Sequence, residues 1–138
     1  MPHIDESQFT NRFVSLIIGS QGYPKKELDR HVLLISAVLR LEPQRQYTES
    51  ELNDELRQWT ARFGDPVNLD HVTLRRFLVD EGYLRRDTAG RAYEVTADWP
   101  YTVDPSIKAL DLEALIAEAR AARERKKQQY MGKTSGSR

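Results

Sequence analysis

Two adjacent arginines, Arg75 and Arg76, lie in a short amphipathic segment beside Thr73, and Arg85, Arg86 and Arg91 follow closely. A guanidinium is a planar fork of donors that suits phosphate oxygens and the acceptor edge of guanine. Arginines grouped in this way are therefore side chains with which a protein could hold a nucleic acid. The ordinary alternative is a solvated ion-pair face, because Asp80 and Glu81 are near enough in sequence to pair with the arginines.

Other chemistry has less support. His3, His31 and His71 fall in different segments and show no metal-ligand spacing with carboxylates. His71, at a helix start, reads as a capping or packing residue, and His31, in a nearly all-apolar stretch, as a buried imidazole with a satisfied partner. Gly132-Lys133-Thr134 is like the end of a phosphate loop but lacks the upstream glycine, Lys127 standing in its place. The absence of cysteine excludes disulfides, thiolate metal sites and cysteine nucleophiles. No catalytic residue, metal site or cofactor is expected, and the chain reads as a non-enzyme. Trp59, Trp99, Tyr23, Tyr83, Tyr93 and Tyr101 could stack on bases. Trp59, however, sits on an apolar stripe and belongs to the core, while Tyr93 and Trp99-Pro100-Tyr101 are placed to cover the base of a hairpin.

With 138 residues, the chain is long enough for one core with short extensions. Lys+Arg and Asp+Glu both number 21, so any electrostatic partner must be met by a local patch. Residues 47–66 carry a net charge of minus three, residues 67–95 are neutral, and residues 111–138 hold seven bases against four acids, the most positive segment. The longest apolar-rich run, Val32 to Leu41, falls short of the roughly 20 residues of a membrane span. The opening residues lack the basic and apolar regions of a signal peptide. The expectation is a soluble, cytoplasmic protein with no membrane partner.

The elements that must position the arginines follow from periodicity. Phe9, Phe13, Leu16 and Ile17 predict a helix over Asp5 to Ile18, with Asp5 as its cap. A second helix, Lys25 to Leu41, is apolar on almost every side and must be central. Arg45 to Thr48 reads as extended. Thr48 with Glu51 then forms a capping box for a third helix, whose Leu52, Leu56, Trp59 and Phe63 make one stripe up to Gly64. After a turn at Asp65 to Leu69, Asp70 caps a fourth helix, His71 to Glu81, with Gly82 as its stop. Steps of 100° turn Leu74, Phe77 and Leu78 inward and leave Arg75, Arg76, Val72 and Val79 outward. Tyr83 to Asp87 and Arg91 to Val95 predict a β-hairpin around Gly90. A last helix runs from about Leu110 to Gln128, with Leu112, Leu115, Ile116 and Ala119 on one face, and Gly132 to Arg138 reads as a disordered tail.

This order predicts a mainly α (α+β) chain, a winged helix-turn-helix core with an additional N-terminal helix and a long C-terminal helix. The expected divisions are 1–22, N-terminal helix and linker; 23–96, winged-helix domain; 97–130, connecting segment and C-terminal helix; and 131–138, tail. Residues 70–82 would be the recognition helix and 83–95 the wing. The candidate nucleic-acid contacts are Thr73, Arg75, Arg76, Arg85, Arg86 and Arg91, with double-stranded DNA as the partner.

Specific residues also carry a family likeness: Tyr47-Thr48-Glu49 through Asn53, Leu69-Asp70-His71-Val72-Thr73-Leu74-Arg75-Arg76, Leu78-Val79-Asp80, Gly82-Tyr83-Leu84, and Arg86-Asp87 followed by Gly90 and Tyr93. Over about Pro24 to Val95 the chain resembles the bacterial domain of unknown function two-thousand-eighty-seven family. The resemblance implies a winged-helix-like fold in a regulatory or nucleic-acid context, since some members are joined to a repressor-type helix-turn-helix domain. It implies no ligand or activity, and this chain shows no second DNA-binding domain. The function expected is a nucleic-acid-binding module in bacterial transcriptional regulation. The alternative is a protein-interaction module that docks a partner, or a second copy as a homodimer, through its terminal helices. The basic end of the last helix is expected to add sequence-independent phosphate attraction.

Overall fold

The computed structural model describes residues 2–19, 22–89 and 91–136. The chain is mainly α with a small amount of β structure. α1 (Glu6–Gly19) is capped by Asp5, whose Oδ1 accepts from the Gln8 amide at 2.7 Å. α2 (Glu27–Val38) is the central helix: every residue from His31 to Val38 is buried. It is shorter than the expected Lys25 to Leu41: Lys25 and Lys26 precede it and are exposed, and at the other end the Arg40 and Leu41 amides donate in tighter turns to the Ala37 and Val38 carbonyls, with Leu41 still buried.

β2 (Tyr47–Thr48) leads into α3 (Glu49–Trp59) through the capping box. Thr48 Oγ1 accepts from the Glu51 amide at 3.1 Å, and Glu51 Oε1 accepts from the Thr48 amide at 2.9 Å. These bonds hold the Glu51 carboxyl below its usual range. The helical path does not stop at Gly64 as the sequence suggests. It continues through a π-helical turn, Thr60–Gly64, into the short α4 (Asp65–Val67), and ends at Asn68, which is left-handed at φ 54°. Gly64 serves another purpose: a Cβ there would lie 2.6 Å from the Leu69 carbonyl oxygen, so glycine permits a close backbone approach.

α5 (His71–Asp80) begins at Asp70, whose Oδ1 accepts from the Thr73 amide at 2.7 Å and whose pKa is lowered by that bond. It stops at Gly82, φ 85°. Leu74 and Leu78 are fully buried, and Phe77 packs half-buried against Tyr23, ring centroids 5.0 Å apart. β3 (Leu84–Arg86) and β4 (Ala92–Val95) form the expected hairpin, in register Arg85 to Glu94 and Arg86 to Tyr93. Its turn glycine, Gly90, lies outside the described residues. β2 joins β4 antiparallel, so the sheet order is β2-β4-β3.

Two features were not anticipated from the sequence. β1 (His3–Ile4) pairs in parallel with β5 (Thr102–Val103), and a 3-10 segment, Pro105–Ala109, follows. α6 (Leu112–Gly136) also outruns the expected end at Gln128, so helix occupies much of the segment read as a tail; Ser137 and Arg138 lie outside the described residues. Before that end, between Glu118 and Lys127, alanines and charges of both signs favour helix, and Arg125 pairs with Glu118 at 3.1 Å.

Inside the core, α2 carries two polar side chains with partners. Ser36 Oγ accepts from Trp59 Nε1 at 2.9 Å, and His31 Nδ1 lies 2.6 Å from the Tyr83 hydroxyl. His31 Nε2 faces Glu81 at 3.5 Å and Glu27 at 4.0 Å, an acidic side that favours the tautomer with the proton on Nε2, in which Nδ1 accepts from Tyr83.

Leu74→Ala should cost roughly 2–5 kcal/mol of stability, read from urea denaturation, because its site is closed on all sides. Burial pushes the His31 pKa below its ordinary value, with Glu81 and Glu27 only partly opposing. The unfolded chain therefore binds the extra proton first, and stability present above about pH 6.5 should fall as pH drops below it. His31→Gln should flatten the urea midpoint between pH 7 and pH 5, a window above that of the depressed carboxylates, which act below about pH 4.

Candidate nucleic-acid interface

α5 presents its outward face beside the β3–β4 hairpin, and between them lies a concavity of about 290 Å³. Arg75, Arg76 and Arg86 all line it, with Val72, Val79 and Tyr93 as its apolar part and Glu49 and Asp80 as its acids. Val72 is half exposed, at 50 %, an unusual position for a large apolar side chain among the described residues. Tyr93 is buried and supports two of the cations: the Arg75 and Arg86 guanidiniums lie 5.9 and 5.8 Å from its ring centroid.

The arginines are not equivalent. Arg75, with only 19 % of its side chain exposed, donates from Nη1 to Asn53 Oδ1 at 2.6 Å and pairs with Glu49 at 3.1 Å. It ties α5 to the first turns of α3 and is largely committed to the fold. Its partner is Glu49, where the sequence pointed to Asp80 or Glu81. Arg85 projects from the hairpin to its cross-strand neighbour Glu94 and does not line the concavity. Arg76 is exposed, with its guanidinium 5.5 Å from the Phe77 ring centroid. Arg86 is exposed at the opposite wall, and Arg91 is exposed beyond it, its amide donating to Asp87 Oδ1 at 2.7 Å. Thr73 is half-buried, and its backbone amide is engaged by the Asp70 cap. Among the described residues, Arg76, Arg86 and Arg91 form no ion pair with a carboxylate.

Sequence reasoning missed the part of Glu49. The signal available was its place as the first helical residue after the Thr48 cap, which fixes it at the end of α3, but nothing local says that α5 crosses there.

The residues that line this concavity fall inside one family segment. Residues 21–95 match the family described as uncharacterized protein conserved in bacteria (DUF2087). The chain belongs to this family. The DUF2087 segment runs from the approach to α2 to the end of β4, so it includes α5, the hairpin and all six expected contact residues, and leaves out α1, β5 and α6. No curated protein and no solved structure matches the chain. Among the described residues no helix is long and apolar enough to cross a membrane.

The unequal surroundings of the two adjacent arginines predict unequal effects. Arg75→Ala should lower stability by about 1–2 kcal/mol, since it removes a charged hydrogen bond at a site only partly open to water. Arg76→Ala should stay within about 0.5 kcal/mol of the parent. Urea denaturation of the two variants checks both values.

Proposed function

We propose that this chain is a non-enzymatic winged-helix module that binds double-stranded DNA in bacterial transcriptional regulation, in the cytoplasm. In this reading α5 enters the major groove and the β3–β4 hairpin is the wing. The observation that carries it is the convergence of Arg76, from the helix, and Arg86, from the hairpin, on one concavity without a carboxylate partner among the described residues. Two cations free of internal pairing on adjoining elements can reach base edges and backbone together. The order of elements, α2-β2-α3-α5-β3-β4, supports the winged-helix assignment. Arg91 extends the basic edge, whereas Arg75 supports the surface and is not a reader of sequence.

A second reading, docking of a protein partner, is favoured by the exposed Val72 and by the acids Glu49 and Asp80, which line the same concavity. Apolar side chains mixed with both charges suit a protein surface as well as a groove. A homodimer through Phe9, Phe13 and Ile17 of α1 has less support, because those side chains are buried within this chain.

Selection of bound sequences from a random duplex pool tests the DNA reading. Enrichment of a common sequence is expected. Arg76→Ala should then cost on the order of 1–3 kcal/mol and relax the preference, while Arg86→Ala should weaken all sequences alike and flatten the salt dependence by about one ion. Absence of enrichment, or unchanged binding in both variants, would replace this reading with protein docking.

A further inference from the structure

Past Ala121 every described side chain of α6 is exposed, as far as Met131, so the helix leaves the body as an arm. At its root is an open cleft of about 850 Å³ between α6, the end of α1 and α4. Ile17, Ile18 and Pro66 line it from the body, and Arg120, Arg123, Glu124 and Lys127 from α6. The three cations recur at intervals of three and four residues and so form one line on the helix. At 1.5 Å per residue that line spans about 10 Å, which is close to three nucleotides at 3.4 Å of axial rise per strand.

Arg123 Nη1 donates to the Ile18 carbonyl oxygen at 3.4 Å. α1 has no basic residue in its own last turn, so Arg123 supplies a cation to the negative end of that helix and fixes the root of the arm against the body. Arg120 and Lys127, on either side, form no ion pair among the described residues. The cleft thus holds three cations against one acid. An anionic membrane surface holds a helix most firmly when an apolar face adds to its charge, and between Ala122 and Met131 the apolar residues of α6 share no face.

We propose that this cleft is a second, sequence-independent nucleic-acid site, in which Arg120, Arg123 and Lys127 clasp the phosphates of a single backbone. It shares its ligand class with the α5 reading but none of its residues, and its three cations lie outside the family segment. The site would hold DNA near the body whatever sequence is present, leaving the α5 face to sample base edges.

The test is anisotropy of a labelled short duplex across a salt series with the full chain. Arg120→Gln, Arg123→Gln and Lys127→Gln together should reduce the slope of log K against log salt by about 2–3, equally for unrelated sequences. Arg125→Gln with Lys126→Gln, on other faces of the same helix, should leave most of that slope. Circular dichroism and melting identify any loss of fold in either variant. Arg76→Ala with Arg86→Ala separates the two sites, because the α6 contribution to the slope should persist in it even if the α5 reading fails. The proposal is overturned if the parent chain binds no duplex, if the triple variant keeps its slope while folded, or if the Arg125/Lys126 variant loses as much. It is also overturned if the triple substitution abolishes binding to phosphatidylserine–phosphatidylcholine vesicles and leaves duplex binding unchanged.

Discussion

α2 is shut off from water along eight consecutive residues, and most of the remaining architecture meets that requirement. A helix apolar on all sides cannot exist at a surface, so it must be enclosed by neighbours on every flank. α1 and α5 pack against it, and Trp59 of α3 reaches it through Ser36. Its two buried polar side chains would each be costly if left without partners, and each instead links α2 to another element: Ser36 to Trp59, His31 to Tyr83. The same bonds that satisfy the centre therefore set where α3 ends and where the hairpin begins. The candidate surface inherits its geometry from this centre, since α5 and β3 are held to α2 on either side of Tyr83.

The electrostatics of that surface divide along similar lines. A cation near the α3–α5 contact is drawn into the fold, where Asn53 and Glu49 fix it and Tyr93 supports its guanidinium. Its neighbour in sequence, one helical step away, faces solvent. Adjacent arginines of identical chemistry thus have different work, and the difference comes from which one faces the crossing helix. The neutral net charge of residues 67–95 conceals this, because Arg85 takes Glu94 from within the segment, Arg75 takes Glu49 from outside it, and Arg76 and Arg86 line one concavity.

Much of this was legible in the sequence where a local rule governs. The caps at Asp5, Thr48 and Asp70 are set by side chains within three residues of the amides they satisfy, and the burial of Leu74 and Leu78 follows from helical spacing. The existence of the hairpin likewise follows from two short strand-like segments around a glycine-containing loop, whereas its register does not. What was not legible depends on the approach of distant segments. Gly64 reads as a helix stop, yet it is needed because Leu69 folds back over it. The Arg75–Glu49 pair requires the crossing of two helices, and the β1–β5 pair joins dipeptides too short for any periodicity. Of the six candidate contact residues, the sequence brings out all the cations but cannot separate those that stay free from those that become part of the frame.

The β1–β5 pair bears on the order in which the chain can complete itself. His3 hydrogen bonds to Thr102 and Asp104 at 2.7 Å each, across separations of 99 and 101 residues, and Asp104 also accepts from the Glu6 amide. During synthesis the strand preceding α1 must wait for almost the whole of the described body before its partner emerges. Such a late closure carries the entropic cost of a long loop, and contacts of this range slow folding more than they weaken the finished structure. The family segment lies entirely inside that loop. The portion common to the family can therefore assemble, with α1 packed on α2 and α4, before the clasp shuts around it.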